Sequence, residues 1–171
     1  MGDILRPIPV LPLLCAFSRD EVALDWAIKR GVERWGPVAT ASPRFDFLET
    51  SYYEATMGPS LKKCFWTFER LADPGELAAW KRMTNAWEDE YAAAHPGSAH
   101  RPLNLDPGYI TPAKLVLAST KDHAHRMYLG DGIYAEITLM YRHGRWECTN
   151  GRFPTIAGPT IKRFSRRGER C

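Results

Sequence analysis

The pattern that most constrains this fold is a pair of capped helical segments, each of which follows directly on a segment of strand character. Residues 13–17 are nearly all apolar, as expected of a strand buried on both faces, and Ser18 and Glu21 then form a capping box. The second helical segment follows a strand at residues 64–68 and is capped by Asp73, with a proline directly after it. The first half of the chain therefore contains two units in which a strand is followed by a helix.

Both helical segments carry an apolar face that predicts packing on a sheet. The first ends near Trp35-Gly36-Pro37, and its apolar side chains recur at four-residue intervals: Leu24, Ile28 and Val32. The second ends at His95, and its stripe is broad and aromatic: Leu77, Trp80, Thr84, Trp87 and Tyr91. The charged residues Lys81, Glu88 and Asp89 are predicted to lie toward the edges of this helix or in solvent.

The order of strands and helices predicts the fold class. Residues 38–47 have strand character but contain Pro43, which indicates an edge strand or a bulge. Residues 102–109 supply a further strand. The resulting order predicts an α+β fold, a ferredoxin-like split βαβ sandwich with two long helices on a mainly antiparallel sheet, extended by a C-terminal β-meander. We expect one domain over residues 1–150 and an irregular basic tail over residues 151–171.

Charge and cysteine usage restrict the classes of partner and the location. The chain has 171 residues and a net charge of +3, and the segment 162–170 contains five basic residues against one glutamate. The remainder is nearly neutral, which argues against nucleic-acid binding except through the tail. The four cysteines are widely scattered, and neither a secretory leader nor an apolar run of the ~20 residues needed to span a membrane is visible. These features predict an unanchored cytoplasmic protein.

Residues of chemical interest are concentrated between positions 104 and 140. Asp106-Pro107-Gly108 predicts a turn, because proline presets one dihedral angle and glycine permits a positive one. Thr111-Pro112 then predicts the cap of a short helix through residues 113–118, with Lys114 in its first turn. The free amides at the start of such a helix and the Lys114 ammonium would together attract an anion such as phosphate.

The segment 119–126 carries the next candidates. Ser119-Thr120-Lys121-Asp122 invites comparison with the guanine-reading Thr-Lys-x-Asp of GTPases, but Asp122 follows Lys121 directly and no Walker A loop is present. His123 and His125 alternate on a predicted strand and would point the same way, with Arg126 on the other face. Two histidines leave a metal shell incomplete, so we predict no metal site. His125 beside Asp122 or Asp106 remains a candidate general acid or base, because histidine titrates near neutral pH.

Two turns organise the predicted meander. A three-residue loop at Gly130-Asp131-Gly132 would set Arg126 opposite Glu136 as a cross-strand ion pair, whereas another register would turn Glu136 toward a pocket. The apolar face of the second strand is predicted to contain Ile133, Ala135, Ile137 and Leu139. A hairpin turn at His143-Gly144 would place Tyr141 beside Trp146.

These residues resemble those of an uncharacterised bacterial family, the domain of unknown function numbered 4416. The resemblance rests on Tyr52-Tyr53-Glu54 with Met57-Gly58, on Lys81 with Thr84-Asn85, and on residues 104–109 and 114–139. It covers residues 7–146 and departs where similar proteins tend toward Trp-Thr-Tyr-Pro-Asp-Tyr and this chain has residues 151–156, Gly-Arg-Phe-Pro-Thr-Ile. The resemblance implies no established activity, substrate, cofactor or catalytic residue.

The leading hypothesis for function is binding of a small anionic ligand, phosphorylated or nucleotide-like, at residues 104–136. The candidate ligand-binding residues are Asn104, Tyr109, Lys114, Lys121, Asp122, Arg126 and Glu136, and the candidate catalytic residues are Asp106 and His125. The sequence leaves open whether the protein is an enzyme and indicates no particular cofactor. One alternative is a noncatalytic protein-interaction module that docks through an aromatic sheet face and the Tyr52-Tyr53 loop. The structural interpretation of that loop is two packed tyrosines with their hydroxyls in water. A further alternative is RNA binding through the aromatic sheet and the basic tail.

Overall fold

An open sheet of nine strands, counted over the described residues, carries the fold. The computed structural model describes residues 2–47, 53–96 and 99–149. The strands are β1 Leu11–Ser18, β2 Val38–Ala41, β3 Phe45–Asp46, β4 Lys62–Phe68, β5 Asn104–Ile110, β6 Lys114–Ser119, β7 Met127–Gly130, β8 Ile133–Arg142 and β9 Arg145–Cys148. The helices are α1 Glu21–Trp35, α2 Glu54–Met57 and α3 Leu77–Ala94. The predicted mixture of helices and strands is confirmed, whereas the predicted tail at 151–171 lies outside the described residues.

The strands are ordered β2-β4-β1-β5-β6-β8-β7, with β3 added to β4 and β9 added to β8. Every neighbouring pair is antiparallel, which confirms the predicted character of the sheet. At the C-terminal end, β8 pairs with β7 and with β9, but β6 joins β8 rather than β7. Both β7 and β9 lie on the edge of β8 away from β6, so the two hairpins β7–β8 and β8–β9 form but the expected meander does not.

The predicted second strand is divided near its proline, as expected. Both β2 and β3 pair with β4, and residues 42–44 lie between them outside either strand. A register shift between Val38 and Thr40 adds an irregularity at this edge of the sheet. Ser42 bridges the break, because the Phe65 amide donates a hydrogen bond to its hydroxyl over 2.8 Å.

Helix α1 differs from the prediction in its cap and in its buried face. The N-cap is Asp20, whose carboxylate accepts from the Val22 amide at 2.9 Å, while the Ser18 hydroxyl donates to the Pro102 carbonyl at 2.6 Å. The buried face consists of Ala23, Leu24, Ala27, Gly31 and Trp35. Val32, predicted to lie on this face, is 38% exposed. The buried face is rotated because its small residues let the helix approach the sheet closely.

Helix α3 begins as predicted but buries two charges that we expected in solvent. The Asp73 carboxylate accepts from the Gly75 amide at 2.8 Å, and a 3-10 turn at Pro74–Glu76 leads into the helix. The five predicted stripe residues are all buried: Leu77, Trp80, Thr84, Trp87 and Tyr91. The expectation for Lys81 and Glu88 is wrong, because these residues are only 2% and 8% exposed. Both lie on the face that packs against the sheet.

Two hydrophobic clusters pack on opposite faces of the sheet. The larger cluster lies under α1 and α3 and includes Leu14, Ala16, Leu24, Trp35, Trp80, Leu105, Ile133 and Ala135. The smaller cluster includes Leu13, Cys15, Phe65, Ile110, Leu115, Leu139 and Trp146. The prediction that residues 133–139 share one apolar face is wrong at Leu139. The β6–β8 register shifts between Leu115 and Val116, and this shift moves Leu139 to the opposite face.

A predicted turn and a predicted short helix are both strands. Asp106-Pro107-Gly108 lies inside β5, where it pairs with β1, and residues 114–119 form β6 between β5 and β8. Pro107 is tolerated because the β5–β6 ladder begins only at Gly108. The predicted anion site at a helix N-terminus near Lys114 is lost with the helix.

The two hairpins β7–β8 and β8–β9 occur where the sequence predicts turns, but the first turn is shorter than predicted. The β7–β8 turn has two residues, Asp131 and Gly132, with φ angles of 52° and 74°, rather than the predicted three. Tyr141 pairs with Trp146 as predicted, with ring centroids 5.5 Å apart.

Among the described residues, no helix combines the length and apolar character needed to cross a membrane.

Candidate functional site

The candidate site lies where β5 and β6 separate. Their ladder contains the pairs Gly108–Leu117, Tyr109–Val116 and Ile110–Leu115. In a continued register Asp106 would face Ser119 and Asn104 would face Lys121, but the ladder stops before both positions. We call this region, residues 104–107 on one side and 118–121 on the other, the sheet opening.

Side chains of α3 take the place of a strand beside Leu105. The Lys81 ammonium donates to the Leu105 carbonyl at 2.7 Å, and the Glu88 carboxylate accepts from the Leu105 amide at 2.7 Å. In an intact ladder such main-chain groups bond to a neighbouring strand. A buried main-chain group without a partner costs about 1–3 kcal/mol, so the two side chains stabilise β5 at the sheet opening.

A polar network, which we call the Asp106 cluster, surrounds these contacts and consists of Lys81, Glu88, Arg101, Asn104 and Asp106. Lys81 Nζ lies 2.9 Å from Asp106 Oδ1, and Asn104 Nδ2 donates to Asp106 Oδ2 at 2.8 Å. Arg101 Nη2 lies 2.7 Å from Glu88 Oε2. The Lys81 and Glu88 side chains are 3% and 9% exposed, whereas those of Asp106 and Arg101 are 28% and 36% exposed. The cluster thus extends from buried side chains on α3, Lys81 and Glu88, to the partly exposed side chains of Asp106 and Arg101.

The electrostatic environment shifts the pKa values of the two carboxylates of this cluster, Glu88 and Asp106, in opposite directions. Burial raises the pKa of Glu88, and the charges of Lys81 and Arg101 offset this only in part. Burial also acts to raise the pKa of Asp106, but the Lys81 charge and the hydrogen bonds from Lys81 and Asn104 bring that pKa below its ordinary value. Asp106 is therefore an ionised acceptor at neutral pH, and Glu88 is the carboxylate that binds a proton more readily.

A second polar group, the His125 cluster, lies on the other side of the sheet opening and consists of Ser119, His125, Arg126 and Glu136. Glu136 is 5% exposed, and its Oε2 atom lies 2.9 Å from Arg126 Nε and 3.2 Å from His125 Nε2. Arg126 Nη1 donates to Ser119 Oγ at 2.7 Å and to the Lys121 carbonyl at 2.9 Å. The predicted pairing of Arg126 with Glu136 is confirmed, but the pair is largely buried and also anchors the loop between β6 and β7.

The histidines lie in that loop and not on a strand. The rings of His123 and His125 are stacked with centroids 5.8 Å apart, and β7 begins only at Met127. His125 and Arg126 bond to the same Glu136 oxygen, so the prediction that they point to opposite faces is wrong. In the described part of the chain, no group of three or more His, Cys, Asp or Glu side chains is placed to hold a metal ion.

Lys121 and Tyr53 form the rim of the sheet opening. Lys121 Nζ lies 5.3 Å from the centroid of the Tyr53 ring, within range of a cation–π interaction. The Tyr53 ring packs on Phe17 with centroids 4.9 Å apart, and Phe17 is the β1 partner of Asn104. Arg101 is close enough for Asp106 and Tyr53 to act on its pKa. Arg101 therefore lies near the Asp106 carboxylate and Lys121 lies against the Tyr53 ring, while Tyr52 falls outside the described residues.

Two predicted ligand-binding residues, Lys114 and Tyr109, are not brought to the sheet opening. Lys114 begins β6 opposite Met140, five residues and about 16 Å of strand away from Ser119. Tyr109 packs against the helix-side cluster, where burial raises its pKa. Asp122 is exposed in the loop after Lys121.

A shallow groove of about 340 Å³ lies far from the sheet opening, at the end of β8 that pairs with Lys114. It is lined by Met140, Arg142, Glu147, Cys148 and Thr149. None of the residues singled out from the sequence lines this groove. It therefore adds nothing to the predicted site.

Three members of the Asp106 cluster were missed in the sequence. Lys81 and Glu88 were assigned to the helix edge because of their charge, and Arg101 was not singled out in the loop before β5. A usable signal was present for the first two. They are seven residues apart and, with Leu77, Thr84 and Tyr91, follow the three- and four-residue spacing of the buried stripe. Charged residues in phase with a buried stripe indicate an internal polar contact.

Comparison with known proteins identifies a family and nothing beyond it. A family model described as "Domain of unknown function (DUF4416)" matches residues 9–168. The match extends well past the C-terminal limit of the resemblance found in the sequence, which was residue 146. Comparisons with curated proteins and with solved structures return no significant match.

Proposed function

This chain belongs to the family of domain of unknown function DUF4416, and we propose that it binds a small anionic ligand, phosphorylated or nucleotide-like, at the sheet opening. One observation carries the proposal. The Lys121 ammonium lies against the Tyr53 ring, and the Arg101 guanidinium lies near both that ring and the accessible Asp106 carboxylate. Cations next to an aromatic face suit a ligand that combines phosphate with a flat ring.

The Asp106 cluster supplies the polarity that such a ligand needs without leaving an unpaired buried charge. Lys81 and Arg101 balance Glu88 and Asp106, and Lys121 contributes a further positive charge at the rim. Arg126 contributes less directly, because its side chain is 15% exposed and bonds to Ser119, Lys121 and Glu136, whereas the Arg101 side chain is 36% exposed and, among the described residues, bonds only to Glu88. We therefore assign the phosphate contact to Lys121 and Arg101, and the contact with a donor group of the ligand to Asp106.

The proposal also distinguishes the roles of the two candidate catalytic residues, Asp106 and His125. The lowered pKa of Asp106 suits a hydrogen-bond acceptor and not a proton donor at neutral pH. His125 Nε2 lies 3.2 Å from the Glu136 carboxylate, which orients the imidazole ring. His125 is thus the better candidate for proton transfer if the bound ligand is chemically transformed.

Ligand screening tests the proposal. Thermal unfolding of the protein is measured with inorganic phosphate, nucleoside monophosphates and sugar phosphates, since a ligand at about 100 times its Kd stabilises by about 2.7 kcal/mol. The screen is repeated with Lys121→Ala and with the matched control Lys114→Ala, which removes the same charge far from the sheet opening. We expect at least one compound to raise the Tm of the parent protein and of Lys114→Ala, but not that of Lys121→Ala.

Two results would count against the site. Equal loss of ligand stabilisation in both variants would indicate a general effect of net charge, and an undiminished response in Lys121→Ala would place binding elsewhere. The Tm of each variant without ligand serves as the folding control. Because both lysines are partly exposed, we expect these two values to stay close to that of the parent.

We also propose that β1, α1, β2, β4, α3 and β5 form a ferredoxin-like split βαβ sandwich. The strand order β2-β4-β1-β5, with α1 between β1 and β2 and α3 between β4 and β5, supports this assignment. The strands β6 to β9 would then extend the sandwich beyond β5. On this assignment the sheet opening lies at the boundary between the sandwich and its extension.

A further inference from the structure

The Asp106 carboxylate is held in one orientation and still has acceptor capacity. Lys81 Nζ donates to its Oδ1 atom at 2.9 Å and Asn104 Nδ2 donates to its Oδ2 atom at 2.8 Å, and within the described part of the chain each oxygen accepts this one bond. An ionised carboxylate can accept about four hydrogen bonds, roughly two at each oxygen. The side chain is 28% exposed, so both oxygens can accept a further bond from a ligand.

Asp106 also lies on the same face of the sheet as the aromatic rim. Side chains alternate along a strand, so Asn104 and Asp106 share one face of β5. On β1, Phe17 lies opposite Asn104, and the Tyr53 ring packs on Phe17. Two residues of strand, about 7 Å, separate Asn104 from Asp106. The carboxylate and the rim formed by Tyr53 and Lys121 are therefore close enough to contact one small molecule.

A short chain of contacts links the Arg101 guanidinium to the same carboxylate. Arg101 Nη2 lies 2.7 Å from Glu88 Oε2, Lys81 Nζ lies 3.8 Å from Glu88 Oε1, and Lys81 Nζ lies 2.9 Å from Asp106 Oδ1. Arg101 and Asp106 are the partly exposed ends of this chain. A ligand that places an anionic group on Arg101 and donors on Asp106 must therefore carry these groups close together.

Two kinds of ligand group offer two adjacent donors to one carboxylate. One is a vicinal diol of a sugar, and the other is the N–H edge of a guanine base. In a sugar phosphate or a nucleotide the hydroxyls belong to the sugar that carries the phosphate, whereas the base edge lies beyond that sugar. The closeness of Arg101 and Asp106 therefore favours the diol. Acidic side chains bind ribose hydroxyls in this way in dinucleotide-binding folds.

We propose that Asp106 accepts hydrogen bonds from both hydroxyls of a vicinal diol, so that the ligand of the sheet opening is a phosphorylated sugar with adjacent hydroxyls, free or as part of a ribonucleotide. The contact rests on the proposed function, in which Lys121 and Arg101 bind the phosphate. Lys81 and Asn104 are positioning residues, because they fix the plane of the carboxylate without using its remaining acceptor positions.

Calorimetric titration of the parent protein with two matched pairs of compounds tests the diol contact. The pairs are ribose 5-phosphate with 2-deoxyribose 5-phosphate, and adenosine monophosphate with deoxyadenosine monophosphate. In at least one pair we expect the ribose compound to bind about tenfold or more tightly than its deoxy form, because a hydrogen bond to a charged group is lost with the hydroxyl. The pair that shows the difference identifies the source of the diol as a free sugar phosphate or a nucleotide.

A substitution assigns the difference to Asp106. Asp106→Asn keeps the size of the side chain but replaces one acceptor oxygen by a donor, so the ribose and deoxyribose forms should then bind within about twofold of each other. Asp89→Asn makes the same change of charge at an exposed position of α3 and should preserve the preference of the parent protein. Thermal unfolding checks that both variants are folded. The paired titrations of the parent protein remain decisive if Asp106→Asn is unstable.

Four results would overturn the diol contact. Equal affinities within both pairs, with binding still abolished by Lys121→Ala, would leave the anion site standing and remove only the diol. A preference for guanosine over adenosine monophosphate that is unchanged in the deoxy forms would assign Asp106 to a base. A ribose preference retained in Asp106→Asn would place the diol elsewhere. Failure of every compound to bind, inorganic phosphate included, would remove the proposed function and the diol contact together.

Discussion

At the scale of single residues, the unusual feature is that one residue of β5 receives its main-chain bonds from side chains. Lys81 and Glu88 bond to the carbonyl and the amide of Leu105, and both are almost fully buried. A buried charge is tolerated only with close partners. Lys81 has the Leu105 carbonyl and Asp106 within 2.9 Å, so its loss would leave several groups without compensation at once.

Replacement of this lysine should be strongly destabilising. Lys81→Met retains most of the side-chain length but leaves the Leu105 carbonyl unbonded and two carboxylates without their shared cation. We expect a loss of about 3–5 kcal/mol in the free energy of unfolding, measured by urea denaturation.

The next residue on the helix provides the control for that substitution. Arg82 has a side chain that is 51% exposed and forms a surface ion pair with Asp131. Arg82→Met should therefore change the free energy of unfolding by no more than about 1 kcal/mol. Similar losses for the two variants would show that the buried network contributes little.

Residue identity in the candidate site was only partly predictable from the sequence. Asp106, Lys121, His125 and Glu136 were singled out because polar groups gather there, and the Arg126–Glu136 pair followed from hairpin spacing. The assignment of Lys81 and Glu88 to solvent failed because charge was given more weight than helical phase. For Lys114 the reason is different: the helix on which its proposed role depended does not form, because residues 114–119 are a strand.

At the scale of elements, the segment 114–119 shows how neighbouring strands override a local helix signal. Thr111-Pro112 resembles a helix cap, yet the Thr111 hydroxyl accepts from the Lys114 amide at 3.0 Å within a tight turn between two strands. The following residues then pair with β5 on one side and β8 on the other. Six residues are too few for helical preference to prevail over two ladders of hydrogen bonds.

The junction of β5 and β6 depends on a glycine for a reason of space. A Cβ atom on Gly108 would lie 2.2 Å from the Val116 carbonyl oxygen, so Gly108→Ala must push the two strands apart. We expect a loss of about 1–3 kcal/mol in the free energy of unfolding, measured by urea denaturation.

The same substitution at Gly75 is the comparison. There the nearest atom to an added Cβ is a side-chain oxygen of the exposed Asp73, at 3.1 Å, which can move aside. Gly75→Ala should stay within about 0.5 kcal/mol of the parent. A neutral Gly108→Ala would mean that the β5–β6 contact is looser than its geometry indicates.

At the scale of the whole molecule, the order of strands and long helices up to β5 was predictable because α1 and α3 each have a cap and an apolar stripe, whereas the short, uncapped α2 was not predicted. What the sequence did not reveal was the second hydrophobic cluster on the face away from α1 and α3. A strand buried on both faces, such as β1, shows no alternation of apolar and polar residues, so its sequence does not show which residues belong to which cluster. The register shift on β8 likewise leaves no signal in the sequence, because it is decided by pairing with β6.

Adjacent residues of β1 can test whether the two clusters unfold together. Leu13 is 1% exposed in the smaller cluster, and Leu14 is 0% exposed in the larger one. We expect Leu13→Ala and Leu14→Ala each to cost about 2–5 kcal/mol, with a single unfolding transition seen by both fluorescence and circular dichroism. A small effect of Leu13→Ala alone would identify the smaller cluster as a peripheral layer.

The bonds from α3 to Leu105 also decide which wall of the sheet opening is able to move. The β5 wall is fixed to the helix by two charge-assisted bonds, so displacing it would mean separating α3 from the sheet. The facing wall consists of the end of β6, Ala118 and Ser119, and the first residues of the following loop, where Arg126 bonds to Ser119 Oγ and to the Lys121 carbonyl. Loops move on a nanosecond-to-microsecond timescale, whereas undocking a helix is a partial unfolding event. On the proposed function, the loop side is therefore the wall that would move to admit a ligand, and the bonds of Arg126 to Ser119 and Lys121 are those that would break.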